Sequence, residues 1–140
     1  MGLDQNLYIF KSKKTMDEIN KDIENLYNES GDCDSKVDRY YDEIVLNEIG
    51  SWRKHANLQG YCSKKWHLTH DEDFNTVYLE LTKEDCEQIL ELSKTHSLPF
   101  ATGFFWGKSN EEDDEYTIEV MQQALHYIKL GYRIAYYSWW

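Results

Sequence analysis

The most constraining feature of this chain is a change of hydrophobic period within a dozen residues. From Thr76 to Leu81 the sequence alternates, with Val77, Leu79 and Leu81 on one side and Tyr78 and Glu80 on the other, the pattern of a half-buried strand. At Thr82 the alternation stops. Asp85 stands three residues on, in the reciprocal-cap position, and Cys86, Ile89, Leu90 and Leu92 supply the apolar side of a helix to about Lys94. A strand that feeds directly into a capped helix calls for a fold built from both, each burying one face. Pro99, the only proline, lacks an amide donor and would clash with the preceding turn, so a loop begins ahead of it.

The same signals recur along the chain. Leu3, Leu7, Tyr8, Ile9 and Phe10 form a first strand ended by the cluster from Lys11 to Lys14. Thr15 with Glu18 caps a helix whose stripe is Met16, Ile19, Ile23 and Leu26, and Asn28 to Ser35 reads as a loop. From Lys36 a second helix is expected, with Tyr41, Ile44, Val45, Ile49, Trp52 and Ala56 on one face, a kink or break at Gly50 and an end at Gly60. Tyr61 to Asp73 reads as a helical turn followed by a loop. Gly103-Phe104-Phe105-Trp106-Gly107 reads as a short buried strand or a turn. Acidic residues 111 to 115 suit the start of a helix with core stripe Ile118, Met121, Leu125 and Ile128, ended by Gly131, and Ile134 to Trp140 closes the chain as a strand. The expectation is one α+β domain over residues 1–140, a small and mainly antiparallel sheet packed by three to four helices.

Charge and composition narrow the partners. Fifteen Lys and Arg against 26 Asp and Glu leave a net charge of −11 on 140 residues, while 41% apolar and 15% aromatic content is too rich for a disordered acidic tail. Such a surplus disfavours binding to duplex nucleic acid and points to a basic protein partner. Cys33, Cys62 and Cys86 are too far apart for a zinc knuckle or redox motif, and their odd number argues against a disulfide framework. No stretch approaches the roughly 20 apolar residues of a membrane helix. Gly2 is not in an acylation motif, because Asn6 stands where Ser or Thr is needed. A soluble protein of the cytoplasm, using no cofactor, is expected.

The chemistry-bearing candidates are few. Residues 51 to 67 hold Arg53, Lys54, Lys64 and Lys65 and no acid, with Trp52, Tyr61 and Trp66 interleaved. A ligand site here would stack Trp52 or Trp66 on a flat group, set Arg53 and Lys54 on a phosphate or carboxylate, and read an edge with Asn57, one helical turn from Arg53. The plainer reading pairs those cations with the protein's own acids and leaves the tryptophans in the core. His67, His70, Asp71, Glu72 and Asp73 have ligand chemistry but loop-like spacing, so no metal site is expected. Cys86 lies on a core stripe. Cys62, beside Lys64 and Lys65, is the one thiol whose neighbours favour a lowered pKa. Phe104, Phe105 and Trp106 fit core packing better than an anchor patch. The tail from Tyr136 to Trp140, four aromatics in five residues, is either a strand tied into the sheet or a partner-binding surface.

Three of these segments together resemble a set of small, uncharacterised bacteriophage proteins. They are Gly2-Leu3-Asp4 with Leu7-Tyr8, then Trp52-Arg53-Lys54 with Asn57, then Gly103-Phe104-Phe105 with Gly107 ahead of an acidic helix and an aromatic end. The resemblance implies a phage-encoded accessory protein acting by binding a host or defence component, and it implies no reaction. Combined with the charge, the expectation is a non-enzymatic acidic protein of the host cytoplasm. It would bind and modulate or inhibit a basic protein, a nucleic-acid-binding effector among the candidates, through Glu111, Glu112, Asp113, Asp114, Glu115, Trp139 and Trp140. The rival is a binder or enzyme for a nucleotide-like molecule at Trp52, Arg53, Lys54 and Asn57. Self-association through the aromatic tail is a third reading, and acids kept only for solubility a fourth.

Overall fold

A computed structural model describes residues 2–29 and 33–140. The elements are β1 (Asp4–Phe10), α1 (Met16–Asn28), α2 (Cys33–Ile44), β2 (Val45–Arg53), α3 (Ala56–His67), β3 (Tyr78–Leu81), α4 (Lys83–Lys94), α5 (Glu111–Lys129) and β4 (Arg133–Trp139). The four strands form one sheet in the order β2-β1-β4-β3, every neighbouring pair antiparallel. The α+β expectation is met, with five helices among the described residues rather than three or four.

Alternation along the strands sends side chains to two layers. Leu7, Ile9, Leu79, Leu81, Ile134 and Tyr136 meet Leu58, Cys62 and Trp66 of α3, Cys86 and Ile89 of α4, and Val120, Met121 and Ala124 of α5. On the other side Phe10, Tyr78 and Ala135 meet Met16 and Ile19 of α1 and Ile44 of α2. Reciprocal capping boxes start α1 at Thr15–Glu18, α4 at Thr82–Asp85 and α5 at Asn110–Asp113, so each helix begins with amide donors satisfied. The C-terminal strand does not fray because it is central: β4 pairs with β1 from Asp4 opposite Trp139 to Phe10 opposite Arg133, and with β3 on its other side. The outer edge of β3 is closed by Asn20 of α1. Its amide nitrogen donates to the Tyr78 carbonyl at 2.9 Å, and its oxygen accepts from the Tyr78 amide at 2.8 Å.

Several expectations need correcting. The helix expected from Lys36 to Ala56 ends at Ile44, and residues 45–53 form strand β2 against β1. Two register shifts lie along this pair: Phe10 faces Val45 but Ile9 faces Asn47, and Tyr8 faces Glu48 but Leu7 faces Gly50. The extra residues, Leu46 and Ile49, break the period-2 alternation, so the apolar positions imitate a helical stripe. Gly50 belongs to a close approach: a Cβ there would lie 2.7 Å from Val120 Cγ1 of α5. Gly60 does not end a helix but lies inside α3, where the loop residue Ala101 comes so near that an added Cβ would sit 2.4 Å from its Cβ. Gly103 to Gly107 is an exposed turn and not core, with Phe104 78% exposed. In α5 the buried positions are Asp114, Thr117, Val120, Met121 and Ala124, a stripe rotated from the expected one, of which only Met121 is shared. Of the expected loop from Asn28 to Ser35, Asn28 ends α1, residues 33–35 open α2, and residues 30–32 lie outside the described residues. Among the described residues no helix is long and apolar enough to cross a membrane.

Candidate functional site

Two places on this scaffold concentrate polar or aromatic side chains. The first is a corner where three distant segments meet. Lys54 N–H donates to the Leu3 carbonyl at 2.9 Å, and Leu3 N–H to the Phe105 carbonyl at 3.1 Å. Arg53 pairs with Asp4 at 3.1 Å, and Asn57 Oδ1 accepts from the Ala101 amide at 3.0 Å. The Gly2-Leu3-Asp4, Trp52-Arg53-Lys54 and Gly103-to-Gly107 segments are therefore one structural unit. Its backbone is strained, with Lys54, Phe105 and Gly107 at φ of 61°, 68° and 71°. For a non-glycine residue such a conformation costs on the order of 1 kcal/mol or more. Glycine at 107 also lets the chain run against Lys54, whose Cδ would sit 2.8 Å from an added Cβ.

A buried polar chain lies behind this corner. His55 N–H donates to Gln5 Oε1 at 2.8 Å, and Gln5 Nε2 donates to the His55 carbonyl at 3.0 Å and to the Tyr136 hydroxyl at 2.8 Å. The Tyr136 hydroxyl in turn donates to Gln59 Oε1. The His55 ring lies 2.6 Å from Ser109 Oγ through Nδ1. Ser109 Oγ also accepts from the Asn57 amide at 2.9 Å, and His55 Nε2 faces Asp114 Oδ1 at 3.6 Å. Asp114 Oδ2 is 2.9 Å from His96 Nδ1. Burial pushes the pKa of His55 down against the pull of Asp113 and Asp114, whereas the bond to Asp114 holds that of His96 up. The residues run in the order of a serine–histidine–aspartate relay, but Nε2 and Oδ1 are too far apart to bond. By accepting from the Asn57 amide, Ser109 caps the start of α3, which His55 as N-cap does not cap with its own side chain.

The second place is a cleft of about 740 Å³ between α1, α2 and the sheet. Tyr8, Tyr27, Tyr41, Tyr78 and Tyr137 line it together with Glu24, Asn20 and Ile23, and no lysine or arginine is among its lining residues. Tyr8 meets Tyr41 edge-on at 5.5 Å, and Tyr78 lies 4.8 Å from Tyr137. Burial raises the hydroxyl pKa of Tyr8, Tyr41 and Tyr78, and pushes that of Tyr137 up to about 12, so these phenols are uncharged at neutral pH. Sequence reasoning missed this cleft because its five rings come from α1, α2 and three strands. The one available signal was the count of 11 tyrosines.

The expected site residues divide between core, corner and surface. Trp52 is buried, its indole N–H bonded to Thr117 Oγ1 at 2.9 Å and its ring 5.7 Å from Tyr116. Arg53 ends β2 and Lys54 follows it, while Asn57 lies in the first turn of α3, so Arg53 and Asn57 are not helical neighbours. The four residues of the small-ligand reading thus share the corner but turn to different partners: Trp52 faces the core, Arg53 reaches Asp4 and Asn57 reaches backbone. Of the acidic quintet, Glu111, Glu112 and Glu115 are exposed, Asp113 closes the capping box and Asp114 is buried. Trp139 is 59% exposed and projects from the same sheet face as Tyr137, two residues along β4. Trp140 packs edge-on against Trp106 at 5.7 Å, and Asn75 holds its backbone. His70 stacks on Trp66 at 3.6 Å and reaches Asp17 at 2.7 Å, tying its loop to the start of α1. No group of three or more His, Cys, Asp or Glu among the described residues could hold a metal. Burial pushes the Cys62 thiol well up, the reverse of the activation that Lys64 and Lys65 suggested. Compared with known proteins, the chain matches no family model, no curated protein and no solved structure.

Proposed function

We propose that this chain is an acidic accessory protein, phage-encoded as its motif resemblance implies, that binds and modulates a basic protein of the host or its defences. The observation that supports this reading is the unequal commitment of its charges. Lys14, Lys36, Arg53, Lys65, Lys83, Lys94 and Arg133 each reach an acid of the same chain, whereas no ion pair with a lysine or arginine among the described residues reaches Glu111, Glu112 or Glu115. The surplus of −11 is therefore carried by exposed carboxylates, which speed encounter with a cationic surface and repel phosphate backbones. Exposed Trp139 and the half-buried Trp140 supply apolar contact beyond the sheet edge.

The test is capture of host proteins on the immobilised chain, with and without Glu111→Lys, Glu112→Lys and Glu115→Lys, at low and high salt. The reading expects a basic protein whose association slows with the reversed charges and with added salt. A captured protein indifferent to both, or tight binding of duplex DNA, overturns it.

A further inference from the structure

We propose that the tyrosine-lined cleft between α1, α2 and the sheet seats an arginine side chain of the partner, a step that rests on reading the protein as a binder of basic proteins. The cleft has the volume of a ligand pocket rather than of a packing defect, about 740 Å³. Its walls are tyrosine rings, whose faces attract cations and on which a planar guanidinium stacks. Because burial holds the hydroxyls of Tyr8, Tyr41, Tyr78 and Tyr137 protonated, those rings offer neutral faces and hydrogen-bonding edges, not phenolate charge. Among the described residues Glu24 is the one carboxylate in the lining, and no lysine or arginine lies there to repel a cation or to hold an anion. Glu24 has a partner, Lys21 at 3.6 Å, but both side chains are more than 60% exposed, and such a pair along a helix is easily exchanged.

The same two helices already hold a cation in this way. The Lys14 ammonium lies 5.6 Å from the centre of the Tyr40 ring and 2.8 Å from Asp22. Tyr41 and Glu24, one and two residues further along α2 and α1, both line the cleft, so the same helices bring a ring and a carboxylate to it as well. The aromatic row does not stop at the cleft. Exposed Trp139 continues it past Tyr137 along β4, the direction in which a peptide carrying the arginine would run.

The probe is a short arginine-containing peptide, compared with the same peptide carrying citrulline, which keeps the shape and loses the charge. Binding is read by ring-proton NMR shifts of the tyrosines and by titration calorimetry on the full chain. The proposal expects shifts at Tyr27, Tyr41 and Tyr137, loss of binding with citrulline, and weakening of about tenfold in Tyr27→Ala and Glu24→Gln, the scale of one cation–aromatic contact plus one charge pair. Tyr27 is 56% exposed, so its truncation spares the core, and an unchanged thermal melt confirms that each variant is folded. Equal binding of the citrulline peptide, or no binding of either, overturns the cationic seat. Arginine-peptide binding whose shifts map to residues 111–115 and survive both substitutions overturns the cleft while leaving the basic-partner reading standing. Failure of the charge-reversal capture above overturns that reading by itself.

Discussion

The two faces of the sheet solve different problems. Toward α3, α4 and α5 the chain buries a broad core of Leu, Ile, Val, Met and Trp and threads a polar chain through it, with Gln5, His55, Gln59 and Tyr136 fully buried. Toward α1 and α2 the fully buried set is small, the rings apart from Phe10 are tyrosines, and Ile23, Tyr8, Tyr41 and Tyr137 stay partly open to a cleft. Close packing on one face supplies most of the folding energy and fixes the sheet. That leaves the other face free to keep open, polar-edged aromatic surface, which a single small core could not otherwise tolerate.

The comparison can be broken by substitution. Met121→Ala or Ile89→Ala on the dry face should cost about 2–5 kcal/mol in urea unfolding, whereas Ile23→Ala on the cleft face should cost about 1 kcal/mol or less. Equal losses would erase the distinction. Next in size is a single hydroxyl. Tyr136→Phe strands the buried amides of Gln5 and Gln59 and should cost about 1–3 kcal/mol, while Tyr137→Phe should change stability by less than about 0.5 kcal/mol.

Acid should act on two histidines with opposite sign. Burial depresses His55, so the unfolded chain takes up that proton first. The stability it contributes is complete above the ordinary histidine pKa of about 6.5 and is lost as pH falls below it. His70 is raised overall, with burial opposing and the Asp17 bond dominating the gain, so its contribution is full at low pH and is lost as pH rises through its folded value. His55→Gln should therefore flatten the acid limb of a stability–pH profile, and His70→Gln the neutral limb. The smallest and quickest check uses thiols. Cys62 and Cys86 sit in the dry core with pKa values pushed up by burial, and Cys33 lies partly exposed at the start of α2. A thiol reagent should modify one cysteine in the native protein and all three in urea.

Local signals were legible where one element carried its own code. The Thr15 and Thr82 boxes, the alternation up to Leu81 and the acidic start of α5 each set an element from neighbouring residues alone. Strand β2 was illegible because its bulges at Leu46 and Ile49 answer to β1, forty residues away, and a period interrupted twice in nine residues carries no phase. The glycines misled for a related reason. Gly60 yields to Ala101 and Gly50 to Val120, close approaches that only the tertiary fold creates. The corner motifs were visible as short strings, but their shared place and the His55 chain behind them were not. The cleft had no string at all, since its rings meet only when three strands and two helices are assembled.

The most direct test of the claim that binding belongs to the open face is hydrogen exchange of the whole chain with and without the arginine peptide. Slowed exchange confined to residues 20–28, 37–41 and 76–78, with α3 and α4 unchanged, is the predicted result. Protection appearing instead at residues 53–57 and 103–109, with the cleft exchanging as before, would contradict it and move the functional surface to the corner.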